Sequence, residues 1–378
     1  VINTELFYNL LKENQVDFFT GVPDSLLKDF CAYVMDNTEE SNNIIAANEG
    51  NALAMASGYH LATGKFALTY MQNSGIGNIV NPLLSLNDPL VYNIPSLLLI
   101  GWRGEPGKKD EPQHKKQGLV TVELLDTMGV KYEVLSEEDT ADSAKEKLEK
   151  AINHMKTTNE PFALVVRKGT FEAYKLQKKI QTSFEMNREK AIEVILSAMG
   201  NDEVIVSTTG MASRELFELR EARGEGHERD FLTVGSMGHS SQIALGIALA
   251  KPERKVYCLD GDGATLMHMG GLAIIGNQKV NNFKHIIINN GAHDSVGGQP
   301  TIAFNIDLQG IAKSCGYKNV FVATTSEELK QAITQLNVSE GPALLEVKVN
   351  GGARKDLGRP TTTPVENKTG LMNFLKDK

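Results

Sequence analysis

Leu259-Asp260-Gly261-Asp262-Gly263-Ala264 stands where an apolar run gives way to a helical pattern, and its reading decides the fold. The run over 255–259 reads as a buried strand, and the glycines as the turn that leaves it. Twenty-five residues follow Gly263, from Ala264 to Ile288, before Asn289-Asn290 closes the next apolar run. Both motifs therefore end at the carboxyl edge of one parallel sheet, where open α/β sheets bind their ligands. Glycines at 261 and 263 let the backbone approach a phosphate, and the following helix offers free N–H groups. The hard oxygens of Asp262 and Asn290 suit Mg²⁺. Taken singly, Asp262 reads as a helix cap and Asn289-Asn290 as a turn; their joint placement on adjacent strand ends points to a metal-assisted phosphate site. No G-x-G-x-x-G follows an expected strand, which argues against a dinucleotide.

The same alternation fills the chain outward from this stretch, the pattern of parallel α/β architecture. Strands are expected at 16–20, 43–47, 66–71, 96–102, 132–135 and 162–166, then at 204–207, 231–234, 255–259, 285–288, 320–323 and 344–349. In the first half, helices at 4–15, 26–35, 49–62, 76–86, 120–128 and 141–155 separate the strands, with Thr4 as the first N-cap. The charged, irregular stretch around 175–189 carries no strand. These patterns divide the chain into an α/β domain over 1–175, a linker over 176–189 and a second α/β domain over 190–378 that ends in a tail. No residue-level repeat relates the halves.

With 378 residues, 41% of them hydrophobic, the chain can bury two cores. Its formal net charge of −8 disfavours a nucleic-acid partner. No run approaches the roughly 20 apolar residues of a membrane span, and Val1-Ile2-Asn3-Thr4-Glu5 lacks the basic and apolar regions of a signal peptide. A cytoplasmic protein with no membrane contact is expected. Cys31, Cys258 and Cys315 are odd in number and lie in separate apolar segments, so buried thiols are expected. In so acidic a chain an anionic ligand needs a local basic cluster. One candidate runs from Arg103 through Lys108, Lys109 and Lys115 to Lys116, and the other holds Arg354, Lys355 and Arg359; the alternative is two solvated loops.

GDG, about 25 residues and NN together resemble the diphosphate-binding motif of thiamine-diphosphate enzymes. The resemblance implies two tandem parallel-sheet domains, of pyrimidine-binding and diphosphate-binding type. It places Mg²⁺ on Asp262, Asn290 and the Ala292 carbonyl, and the diphosphate against Gly261, Gly263 and Ala264. It implies a glutamate from the first domain at the aminopyrimidine ring, and Ala46-Ala47-Asn48-Glu49-Gly50-Asn51-Ala52 offers Glu49. A helix-terminal Glu favoured by the dipole explains the position of Glu49 but not the small-residue face that follows. In Gly235-Ser236-Met237-Gly238-His239, Met237 matches the apolar residue that bends the cofactor, and the Gly235 carbonyl the acceptor for its 4′-amino group; plain packing is the other reading of Met237. Thr209 and Gly210 lie where the diphosphate is usually met.

Most decarboxylases of this kind carry a third, central domain, and this chain has none. Asn73-Ser74-Gly75-Ile76-Gly77-Asn78, Gly101-Trp102-Arg103-Gly104-Glu105-Pro106-Gly107, Asp110-Glu111-Pro112-Gln113-His114 and Asp356-Leu357-Gly358-Arg359-Pro360-Thr361 resemble the phosphonopyruvate decarboxylase family across essentially the whole length. Sulfopyruvate decarboxylases are similar but are often divided into two subunits. The resemblance implies decarboxylation of a small anionic 2-oxo acid, phosphonopyruvate, to phosphonoacetaldehyde and CO₂ through a cofactor enamine. Asp24 and His114 are the candidate proton-relay pair, His114 reading equally as a solvated loop histidine. Arg354 and Arg359, then Arg103, are the candidate phosphonate ligands, because a guanidinium fork fits a tetrahedral oxyanion. A homodimer or larger is implied, with each site shared between the first domain of one chain and the second of another. A carboligase is the rival among enzymes, and a non-catalytic cofactor-binding protein the rival outside them; Glu49 counts against the latter.

Overall fold

Strands covered on both faces by helices are apolar throughout, and these runs form two wholly parallel sheets. The computed structural model describes residues 1–376, and the chain divides into Val1–Lys179 and the part from Ile180 onward. The first unit runs α1 (Thr4–Glu13), β1 (Val16–Gly21), α2 (Lys28–Asn37), β2 (Asn43–Ile45), α3 (Glu49–Thr63), β3 (Phe66–Gln72), α4 (Ile76–Pro82), β4 (Leu97–Gly101), α5 (Pro112–Thr127), β5 (Lys131–Leu135), α6 (Ala141–Thr158) and β6 (Phe162–Val166). Its strand order is β2-β1-β3-β4-β6-β5. Side chains alternate across the sheet. Leu97 and Leu99 of β4 join the core under α1, α2 and α6, whereas Leu98 and Ile100 join the one under α3, α4 and α5.

The second unit runs α7 (Arg188–Ser197), β7 (Val204–Ser207), α8 (Met211–Ala222), β8 (Asp230–Leu232), α9 (Ser240–Ala250), β9 (Val256–Gly261), α10 (Asp262–Met267), α11 (Gly270–Gln278), β10 (Phe283–Asn289), α12 (Leu308–Ser314), β11 (Asn319–Ala323), α13 (Ser326–Val338), β12 (Ala343–Lys348) and α14 (Pro364–Lys376). Read from its β8 edge, the order is β8-β7-β9-β10-β12-β11. That is the order of the first sheet, strand for strand, although no residue repeat betrays it. Ile286 and Ile288 face the core under α7, α8 and α13, and Ile287 faces the one under α9, α11 and α12.

Three local expectations are corrected. The N-cap of α1 is Asn3, whose Oδ1 accepts the Leu6 N–H at 2.9 Å; Thr4 donates its hydroxyl to the Glu172 carbonyl instead. Helix α5 starts at Pro112, not 120, because proline suits the first helical position whatever the polarity of the turn that follows. Cys31 and Cys258 are buried, but Cys315 is partly exposed; all three are free. Among the described residues no helix is long and apolar enough to cross a membrane.

Candidate active site

The second sheet reverses its order between β7 and β9, the topological switch point where such sheets bind ligands. Thr208-Thr209-Gly210 leaves β7 there, and Gly261-Asp262 joins β9 to α10. Thr209 Oγ1 accepts the Gly235 N–H at 2.9 Å, which ties the Met237 loop to the end of β7. A Cβ on Gly263 would stand 2.9 Å from His293 Cε1 and 3.3 Å from Met237 Cε, so a larger residue here would have to displace the His293 ring. Ala264 follows, buried in α10.

Asp262 is buried, and burial pushes its carboxyl up to about 6 against the Thr301 hydroxyl and the backbone N–H groups of Asp262, Gly263 and Asn290. Asn290 follows directly on β10; its Oδ1 accepts the Ala292 N–H at 3.0 Å and its Nδ2 donates to Asp294 Oδ2 at 2.7 Å. A buried carboxylate beside an amide oxygen is a donor set for a hard cation. The hydroxyls of Thr208 and Thr265 are buried without hydrogen-bond partners. Buried hydroxyls are normally paired, and a phosphate oxygen would satisfy them.

Side chains beneath the two strand ends hold them in place. Asp260 Oδ1 accepts the Gly261 N–H at 3.0 Å, and its Oδ2 lies 3.3 Å from His285 Nε2, whose Nδ1 meets the Tyr317 hydroxyl at 3.0 Å. Asn289 donates to Glu346 at 2.7 Å and accepts the Gly291 N–H at 3.1 Å.

In the first unit the order reverses between β1 and β3. Asp24, after β1, is fully buried; Gln72 Nε2, ending β3, donates to its Oδ1 at 2.7 Å and the Leu26 N–H to its Oδ2 at 2.9 Å. Burial pushes the Asp24 carboxyl above the usual carboxylate range despite those bonds and the nearby charge of Arg103. Glu49 opens α3 behind the N-cap Asn48 and is buried. Asn78 Nδ2 donates to its Oε2 at 2.6 Å, and a Cβ on Gly75 would stand 2.5 Å from its Oε1. The short turn at 72–75 thus touches both acids, Gln72 meeting Asp24 and Gly75 meeting Glu49.

His114 does not lie on a loop. It is the third residue of α5 and is buried, with Nδ1 lacking a partner. Burial, then the charge of Arg103, pushes it down to about 4. Arg103 grips Asp110 through Nε at 2.8 Å and Nη2 at 2.5 Å, and reaches Ser25 Oγ at 2.7 Å. Arg354 pairs with Glu189 at 2.9 Å, Asp356 at 3.1 Å and Glu218. Arg359 is exposed on the same tail.

Residues 3–124 match the thiamine pyrophosphate enzyme N-terminal TPP binding domain, and residues 208–347 its C-terminal TPP binding domain. Over 361 residues the chain is 33% identical to phosphonopyruvate decarboxylase of Streptomyces viridochromogenes, covering 92% of this chain and 88% of that one. The chain belongs to the thiamine-pyrophosphate-dependent decarboxylase family. It is also 32% identical to the phosphonopyruvate decarboxylase of Streptomyces hygroscopicus over 372 residues, 94% of this chain and 90% of that one. To the sulfopyruvate decarboxylase of Methanosarcina acetivorans it is 27% identical over 376 residues, 93% and 92% of the two chains.

As in the expectation from its motifs, this thiamine-pyrophosphate-dependent decarboxylase has two tandem α/β domains with none between them, and thiamine diphosphate is its cofactor. Sequence reading assigned no role to the residues that support the expected ones. Gln72 and Asn78 lie in segments with no charge to draw notice, and Arg188, which reaches Asp294 at 3.0 Å, is 106 residues away from it.

Proposed function

We propose that the chain decarboxylates phosphonopyruvate to phosphonoacetaldehyde and CO₂, with Mg²⁺ beside the cofactor diphosphate. One observation carries the substrate: the likeness to the two phosphonopyruvate decarboxylases spans both domains and exceeds that to the sulfopyruvate decarboxylase of equal span. When bound, thiamine diphosphate supplies the sink for the electrons released as CO₂ leaves.

The chain's own groups have distinct tasks in this reading. Asp262, Asn290 and the Ala292 carbonyl hold the cation, while Thr208, Thr265 and the Gly261 and Gly263 backbone face the diphosphate. Glu49, steadied by Asn78, exchanges a proton with the pyrimidine ring. Asp24, whose carboxyl burial raises, is the group that returns a proton to the substrate carbon in this reading; Gln72 holds it in place. His114 is neutral at ordinary pH and serves as a proton acceptor in the same relay. Arg354 and Arg359, then Arg103, are the candidates for the phosphonate, because a guanidinium fork fits a tetrahedral oxyanion. Assembly as a homodimer or larger, with sites completed between copies, and a cytoplasmic location suited to three free thiols belong to the same reading.

Incubation of the holoenzyme with phosphonopyruvate, sulfopyruvate and pyruvate in parallel, followed by phosphorus and proton NMR, tests this function. Phosphonoacetaldehyde should form fastest. Preferred turnover of sulfopyruvate would move the chain to the sulfonate, a condensation product would make it a carboligase, and bound cofactor without CO₂ release would make it non-catalytic.

A further inference from the structure

An asparagine can offer oxygen to a cation only if its amide is turned the right way, since its two ends are alike in shape and opposite in hydrogen bonding. Asn290 Nδ2 donates to Asp294 Oδ2 at 2.7 Å, which leaves Oδ1 as the end that accepts the Ala292 N–H and remains open to a second partner. Asp294 is itself fixed. The same Oδ2 accepts Arg188 Nη1 at 3.0 Å and the Gly352 N–H at 2.8 Å. Arg188 is buried and locked by a fork to Glu215, Nε at 2.7 Å and Nη2 at 2.9 Å, and Nη2 also faces the Gly352 carbonyl at 3.4 Å. Glu215 and Asp294 therefore share one guanidinium, next to Asn290. Gly352 lies at the root of the tail that carries Arg354 and Arg359, just beyond β12.

We propose that Asp294, braced by Arg188 and Glu215, is a positioning residue that turns the Asn290 amide oxygen toward the cation and pins the root of the arginine tail through the same carboxylate oxygen. Cation binding and tail placement are then set by one group. Partners of this kind orient metal-ligating side chains, and their loss commonly weakens metal affinity about 10- to 100-fold. The inference rests on the reading of Asn290 as a cation ligand.

The test compares Asn290→Ala, Asp294→Ala, Asp294→Asn and Arg188→Lys as full-length, cofactor-free proteins. Calorimetry measures thiamine diphosphate binding over a series of Mg²⁺ concentrations, thermal melting without either ligand measures the fold, and limited proteolysis measures tail exposure. Asn290→Ala and both Asp294 variants should raise the Mg²⁺ needed for half-maximal cofactor binding by about 10- to 100-fold. Arg188→Lys should do so less, as an ammonium cannot grip Glu215 with a fork. In the Asp294 variants the tail should also be cleaved faster near Gly352. If Asn290→Ala raises the Mg²⁺ requirement and the Asp294 variants do not, Asp294 has no positioning role. An Asp294 variant that melts lower yet binds cofactor at the parental Mg²⁺ concentration overturns the inference too, by making the network structural only. If Asn290→Ala changes nothing, the ligand reading beneath it is what fails. Should Asp294→Ala not fold, Asp294→Asn and Arg188→Lys carry the same comparison.

Discussion

The Asn78 side-chain amide donates to the Glu49 carboxylate at 2.6 Å, so the acid at the start of α3 is held from α4. Glu49→Gln should keep cofactor affinity and slow hydrogen–deuterium exchange at the thiazolium C2 by orders of magnitude. Asn78→Ala removes a charge-assisted hydrogen bond and should slow the same exchange by about ten- to a hundredfold. Parental exchange in Glu49→Gln would remove this residue from the chemistry.

Asp262→Ala takes away the buried carboxylate of the expected cation site. The variant should lose thiamine diphosphate on gel filtration in Mg²⁺-containing buffer, where the parent retains it. Retention equal to the parent's would show that the cation is held elsewhere.

The proposed sharing of sites between copies has its own test. Glu49→Gln and Asp262→Ala proteins, each inactive alone, should recover part of the activity when unfolded together and refolded, because a mixed dimer contains one site built from two intact halves. Absence of recovery in verified mixed dimers would place both residues in sites made by a single chain.

Arg359→Ala should lower kcat/KM for phosphonopyruvate by about ten- to more than a hundredfold and leave pyruvate nearly unaffected, since pyruvate has no phosphonate. Equal proportional losses on both substrates would assign the arginine to the shared carboxylate or to folding, and attention would pass to Arg103.

Stability should depend on pH through Asp110. Desolvation pushes its carboxyl up, but the Arg103 guanidinium and the N–H groups of Glu111 and Gly104 outweigh this and hold it well below the usual carboxylate range. A carboxylate lowered on folding stabilises the folded state above its unfolded value, and that contribution is lost as pH falls toward the folded one. The parent should therefore melt higher than Asp110→Asn at neutral pH, and the gap should close as pH drops below about 4. A gap that stays constant down to strongly acid pH would show that the Arg103 contact contributes nothing through charge.

The fold was legible because apolar runs such as Leu97-Leu98-Leu99-Ile100 admit little but a buried parallel strand. The start of α5 was hidden, since Gln113, Lys115, Lys116 and Gln117 carry no apolar period and only Pro112 marks the first turn. The identical strand orders were also hidden, because order is set by crossovers and not by residue identity. Positions near the site were readable where a motif is local, as at 259–264. The contacts that orient those side chains were not. Gln72 and Asp24 are 48 residues apart, and Arg188 and Asp294 are 106 apart. No periodicity links such pairs until the sheet edges have brought them together.

That every strand pair in both sheets is parallel governs how the chain reaches this structure. Parallel neighbours cannot be joined by a hairpin, so each ladder waits on a crossover of a dozen or more residues. Contact order is correspondingly high, and folding slow. Until the helices dock, runs such as Ile286-Ile287-Ile288 stay open to other molecules. Recovery from denaturant should therefore fall steeply as protein concentration rises, limited by aggregation of partly formed sheets and not by the stability of the finished ones.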